Sequence, residues 1–143
     1  MKTARQLLGE KQIHQLISIP SGATVFQALQ IFAEWNVGAA LVMDGNKLIG
    51  IFSERDYARR VVLLGRSTAT TLVNDVMTSQ VVCVRADTHT SECLALMTER
   101  RIRHLPVKED GEVIGVLSIG DLVRATIAEQ RFTIEQLESY LYR

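Results

Sequence analysis

Along the 143-residue chain, apolar positions switch between a strand-like and a helix-like period, and the same order of switches occurs twice. Short apolar runs, LISI at 16–19 and VVCV at 81–84, read as buried strands. Helical stripes follow: Val25, Ala28, Leu29, Phe32 and Trp35 in the first copy, Cys93, Leu94 and Met97 in the second. AALVM (39–43) and HLPV (104–107) come next. They lead into turns built on Asp44-Gly45-Asn46 and Asp110-Gly111, residues that tolerate left-handed backbone. KLIGIF and EVIGVL close two hairpins, and helices predicted over 54–64 and 119–129 end the copies. Each copy is an α/β (α+β) unit of order β-α-β-β-α.

Residues 37–59 lie over 102–124 at a constant offset of 65, with Val42, Ile49, Gly50, Ser53, Asp56 and Arg59 identical to Val107, Ile114, Gly115, Ser118, Asp121 and Arg124. Such a unit is too long for a solenoid repeat and too short for a comfortable independent domain, so the copies are expected to pack face to face with pseudo-twofold symmetry. The expected domains are 10–69 and 76–131. Gly65 ends the first closing helix, GRSTATT (65–71) is the exposed linker, and TLVNDVM is a helical lead-in. The tail, 132–143, is expected to be a separate amphipathic helix opened by a capping box of Thr133 and Gln136, with Ile134, Leu137 and Leu141 on one face.

A formal net charge of zero argues against a general nucleic-acid binder. No apolar run approaches the roughly 20 residues of a membrane-spanning helix. The first residues, MKTARQLLGEK, have no apolar core of a secretory signal, which points to the cytoplasm. Cys83 and Cys93 are too few for a disulfide scaffold and sit among apolar neighbours, as reduced buried thiols do.

The recurring Ser-x-x-Asp, Ser53/Asp56 and Ser118/Asp121, fits two roles. At a strand-to-helix junction it is close to a capping box, worth about 1 kcal/mol per cap. The same geometry offers helix N–H donors to an anion and a carboxylate to a ribose diol, with Gly50 and Gly115 admitting a ring close to the backbone.

These features together resemble the CBS domain in tandem, a Bateman module. The matching residues are DVMTSQVVCV, RIRHLPV and a terminal Gly-h-h-Ser-x-x-Asp (h apolar) in both copies, within roughly residues 10 to 131. Copy one departs at its start, with LLGEKQI in place of DVMT, and has NVGAALV in place of RIRHLPV. The resemblance implies regulatory binding of adenosine-containing ligands (AMP, ADP, ATP, NAD or S-adenosylmethionine, with AMP or NAD foremost) in the cleft between the copies. It implies a first site of Ser18, Ile19, Pro20, Gly38, Ala39, Ala40, Ser53 and Asp56, with the aspartate on the ribose hydroxyls. The second site comprises Thr78, Val82, Cys83, Arg103, His104, Ser118 and Asp121, with Arg103 and His104 reaching phosphates. Arg55 adds a phosphate contact by inference; its counterpart is Gly120, so the sites should differ in charge. The resemblance also implies a homodimer acting on a target protein that the sequence leaves open.

His104 read alone is a core histidine. Cys83, His89, Cys93 and His104 could be assembled into a metal set, but C-x5-H-x3-C matches no common zinc pattern. His14 is expected at the surface. The run Arg100-Arg101-Ile102-Arg103 reads as a solvated helix end. No nucleophile lies at motif spacing from a base, so the reading is a non-enzyme with no catalytic cofactor. The alternatives are a ligand-free adaptor docking on an enzyme or transporter, and a small enzyme or metal protein.

Overall fold

In the computed structural model, which describes residues 1–11 and 16–142, the elements run α1 (Ala4–Glu10), β1 (Ser18–Pro20), α2 (Val25–Trp35), β2 (Ala39–Asp44), β3 (Lys47–Ser53), α3 (Glu54–Tyr57), α4 (Val73–Val76), β4 (Val84–Arg85), α5 (Thr90–Arg100), β5 (His104–Glu109), β6 (Glu112–Ser118) and α6 (Ile119–Leu141). A π-helical turn, Ala58–Val62, continues α3. His14 lies outside the described residues.

The chain divides into two compact units, Ile17–Val81 and a second made of Val82–Arg143 with Met1–Leu16. Each has a three-stranded sheet, β1-β2-β3 or β4-β5-β6, with a parallel first pair and an antiparallel hairpin. The copies share details 65 residues apart. Both hairpins carry a bulge, between Val42 and Met43 and between Val107 and Lys108. The matching helices α2 and α5 both end on a left-handed residue, Asn36 and Arg101. The hairpin turns use positive φ at Gly45 in the first and at Asp110 and Gly111 in the second.

In the first unit Ile19, Val25, Ala28, Phe32, Val42 and Phe52 form a buried core, with the Phe32 and Phe52 rings stacked at 5.9 Å. In the second, Cys93, Met97, Leu105, Val107, Leu117 and Leu122 do the same.

The lead-in helices are exchanged between copies. Val73 and Val76 of α4 are buried in the first unit's core, although α4 precedes the second copy in sequence. Ala4 and Leu7 of α1, which precedes the first copy, are buried in the second unit's core. Matched hydrogen bonds hold them: the Val73 N–H donates to Ala23 O at 2.9 Å, and the Ala4 N–H to Thr88 O at 2.8 Å.

Several predicted elements differ. The first closing helix, expected over 54–64, is a single α-turn followed by π-type bonding, with the Leu63 N–H reaching Ala58 O at 3.0 Å. The wider turn accompanies a fully buried Val61 and an Arg60 guanidinium that donates to Met77 O at 2.7 Å. The tail is no separate helix: α6 runs unbroken to Leu141, and the Thr133 hydroxyl donates to Glu129 O inside it instead of capping. Nothing between 129 and 133 stops a helix, since no glycine or proline stands there. β4 is confined to Val84–Arg85, so Val82 and Cys83 precede it. β1 begins at Ser18 rather than 16.

Candidate functional site

Both Ser-x-x-Asp motifs form complete capping boxes. The Asp56 N–H donates to Ser53 Oγ at 3.2 Å, while the Ser53 N–H and hydroxyl donate to Asp56 Oδ2 at 3.0 and 3.1 Å. The Asp121 N–H donates to Ser118 Oγ at 3.2 Å, and the Ser118 N–H to Asp121 Oδ2 at 2.8 Å. Reciprocal bonds fix each carboxylate at the strand-to-helix corner, partly buried at the start of its helix.

Beyond the caps, the two carboxylates are engaged differently. Asp56 Oδ1 accepts the Thr78 hydroxyl at 3.2 Å. Asp121 is held by two cations: Lys11 Nζ lies 2.9 Å from Oδ2, and the Arg124 guanidinium 2.9 Å from Oδ1. The Lys11 ammonium also donates to Val116 O at 2.8 Å. Burial alone would push the Asp121 carboxyl up. The Ser118 N–H and the Lys11 ammonium outweigh it and hold the carboxyl below the usual range.

Thr78, grouped by the sequence with Asp121, thus stands beside Asp56. The cause is the exchanged lead-in: after α4 the chain pairs with β3, Thr78 and Ile51 exchanging backbone hydrogen bonds at 2.9 Å. Beside Asp121 the first lead-in places Lys11, on Oδ2 rather than Oδ1, and the sequence reading missed it. Its one signal was the departure of LLGEKQI from DVMT.

Around Asp56, Ala39 lies opposite Ser53 in the hairpin, and the Glu54 N–H donates to Gly38 O at 3.0 Å. Ser18 and Pro20 are exposed, whereas Ile19 and Ala40 have their side chains in the core and offer only backbone. Around Asp121, His104 lies opposite Ser118, and the Ile119 N–H donates to Arg103 O at 2.8 Å. The Arg103 side chain is exposed and His104 is half-buried. Arg55 is exposed on α3, and both it and His104 have partners of their own. Val82 packs on the second core.

Cys83 and Cys93 are unpaired thiols, and burial pushes both up, which disfavours the reactive thiolate. Among the described residues no group of three His, Cys, Asp or Glu could hold a metal ion. An open depression of about 660 Å³ beside α2, lined by Pro20, Gln27, Gln30, Ile31 and Glu34, shares only Pro20 with these candidates. Among the described residues no helix is long and apolar enough to cross a membrane.

The CBS-domain family profile matches residues 11–63 and 73–128. The chain is 40% identical over 123 residues to the mitochondrial CBS domain-containing protein CBSX3 of Arabidopsis thaliana, covering 82% of this chain and 60% of that protein. It is 37% identical over 134 residues to CBSCBSPB3 of Arabidopsis thaliana, 90% of this chain but 24% of that longer protein. A solved structure from Burkholderia ambifaria MC40-6, described as a signal-transduction protein with CBS domains, superposes with a TM-score of 0.86 at 45% identity, over 90% of this chain and 96% of that one. The chain belongs to the CBS-domain family and carries two copies of the domain.

Proposed function

We propose that the protein is a regulatory CBS pair that binds adenosine-containing ligands, AMP or NAD foremost, with Asp56 and Asp121 each receiving a ribose diol. The observation that carries this reading is the recurrence of one partly buried carboxylate, fixed by its own capping box, at the same corner of both copies. An ionised carboxylate has about four acceptor positions. The serine N–H takes one position on Oδ2, and among the described residues the rest of each carboxylate is held by groups that a diol can replace: the Ser53 and Thr78 hydroxyls at Asp56, and at Asp121 Lys11 and an Arg124 side chain that is 74% exposed. A protein of the same fold, MJ0100, 21% identical with a TM-score of 0.78, was solved with 5′-methylthioadenosine and S-adenosyl-L-methionine, both built on adenosine.

The first site comprises the backbone of Ser18–Pro20 and Gly38–Ala40 with Ser53, Arg55, Asp56 and Thr78. The second comprises Val82, Cys83, Arg103, His104, Ser118 and Asp121. Each Ser-x-x-Asp is engaged in capping its own helix, which fits a sensing role rather than turnover. We assign the cytoplasm on the two unpaired thiols, and a homodimer on the exposed apolar residues of α6.

A thermal-shift screen of AMP, ADP, ATP, NAD and S-adenosylmethionine tests the reading. A ligand at 100 times its dissociation constant adds about 2.7 kcal/mol of stability, a shift of several degrees for a chain of this size. No shift with any of the five would favour a ligand-free adaptor.

A further inference from the structure

The two aspartates are not held alike, and the difference has a consequence for what each binds. Asp121 sits between two cations, with Lys11 Nζ at 2.9 Å from Oδ2 and the Arg124 guanidinium at 2.9 Å from Oδ1. The Asp121 side chain is only 10% exposed and that of Lys11 26%, so this pair is poorly screened by water. Val116 O anchors the ammonium from the other side at 2.8 Å. Gly120 leaves room beside the Arg124 guanidinium, which a Cβ there would approach to 3.3 Å. At Asp56 the lead-in contributes a neutral hydroxyl instead of a cation, that of Thr78 on Oδ1.

We infer that Lys11 is a specificity-determining residue that makes the Asp121 site select phosphate-bearing adenosine ligands over neutral ones. The inference rests on the ribose role proposed for Asp121. A ribose diol that bridges both Asp121 oxygens displaces Arg124 from Oδ1 and Lys11 from Oδ2. A neutral nucleoside leaves that half-buried ammonium without its counter-charge, a costly outcome. A ligand phosphate takes the ammonium over in a charge-assisted hydrogen bond and restores neutrality. Displacing Thr78 from Asp56 uncovers no charge, so that exchange contributes no such preference to the first site.

The test is calorimetric titration of AMP and of adenosine into Asp56→Ala protein, where only the second site is read. AMP should bind more tightly than adenosine, and Lys11→Met should reduce that preference by about tenfold or more. Lys11→Gln, which keeps a donor for Val116 O without the charge, should lose it equally, and Lys11→Arg should retain it. An AMP-to-adenosine ratio unchanged within about twofold in both neutral variants, with binding intact, overturns the inference and leaves the ribose role standing. Failure of the Asp56→Ala protein to bind either compound overturns the ribose role of Asp121, and the inference with it.

Discussion

Ser53, Asp56, Ser118 and Asp121 were legible in the sequence as a repeated motif with two open roles, and the capping role is filled in both copies. The serine N–H takes one acceptor position of each carboxylate and orients the rest, so the cap and the proposed ribose role are compatible. Lys11 was not legible, because its partner is 110 positions away and no local pattern announces an ion pair across such a separation. That pair has a pH signature. A carboxyl held below its unfolded value of about 3.9 contributes stability above that pH, and the contribution is lost as pH falls through the lower folded value. Lys11→Met removes one of the causes of the depression. The variant should be less stable by roughly 1 kcal/mol at pH 7 and lose less than the wild type as pH falls below about 4. Denaturant midpoints across that range measure it, and parallel losses in the two proteins would contradict the role given to Lys11.

The order β-α-β-β-α was readable because strand and helix periods alternate cleanly and the hairpin turns carry residues suited to positive φ. The ends of elements were not. The π-helical turn at Ala58–Val62 keeps the apolar pattern of an α-helix while changing its bonding. The length of α6 was hidden because Thr133 and Gln136 imitate a cap that an uninterrupted helix has no need to use. The lead-ins also separate the two repeated glycines. A Cβ on Gly50 would stand 2.9 Å from the backbone oxygen of Thr78 and collide with Met77 Sδ, whereas one on Gly115 would meet only the flexible end of Leu8, at 2.7 Å. Gly50→Ala should therefore destabilise by about 1–3 kcal/mol, and Gly115→Ala by clearly less. Equal losses in chemical denaturation would mean that the two lead-ins yield equally.

At the scale of the molecule, the doubling was plain because inward and motif positions repeat at one offset, 65 residues. The exchange of lead-in helices broke that regularity. Ala4 and Val73 make matched hydrogen bonds yet stand 69 apart, and sequence periodicity does not say which core an amphipathic turn enters. The exchange moved Thr78 from the second candidate site to the first. Along α6, Val123, Ile127, Ile134, Leu137 and Leu141, at intervals of four, seven, three and four residues, share one helical face and are all exposed. If this stripe holds the proposed homodimer, Leu137→Asp should convert dimer to monomer in sedimentation while leaving the fold intact. An unchanged sedimentation coefficient would remove α6 from the interface.

The central claim, two adenosine sites each resting on one aspartate, is tested most directly by calorimetric titration of AMP into the wild type, Asp56→Ala, Asp121→Ala and the double variant. The account predicts two binding events of unequal affinity in the wild type, one remaining in each single variant, and none in the double variant. AMP binding that survives intact in the double variant would contradict it and leave both aspartates as helix caps alone.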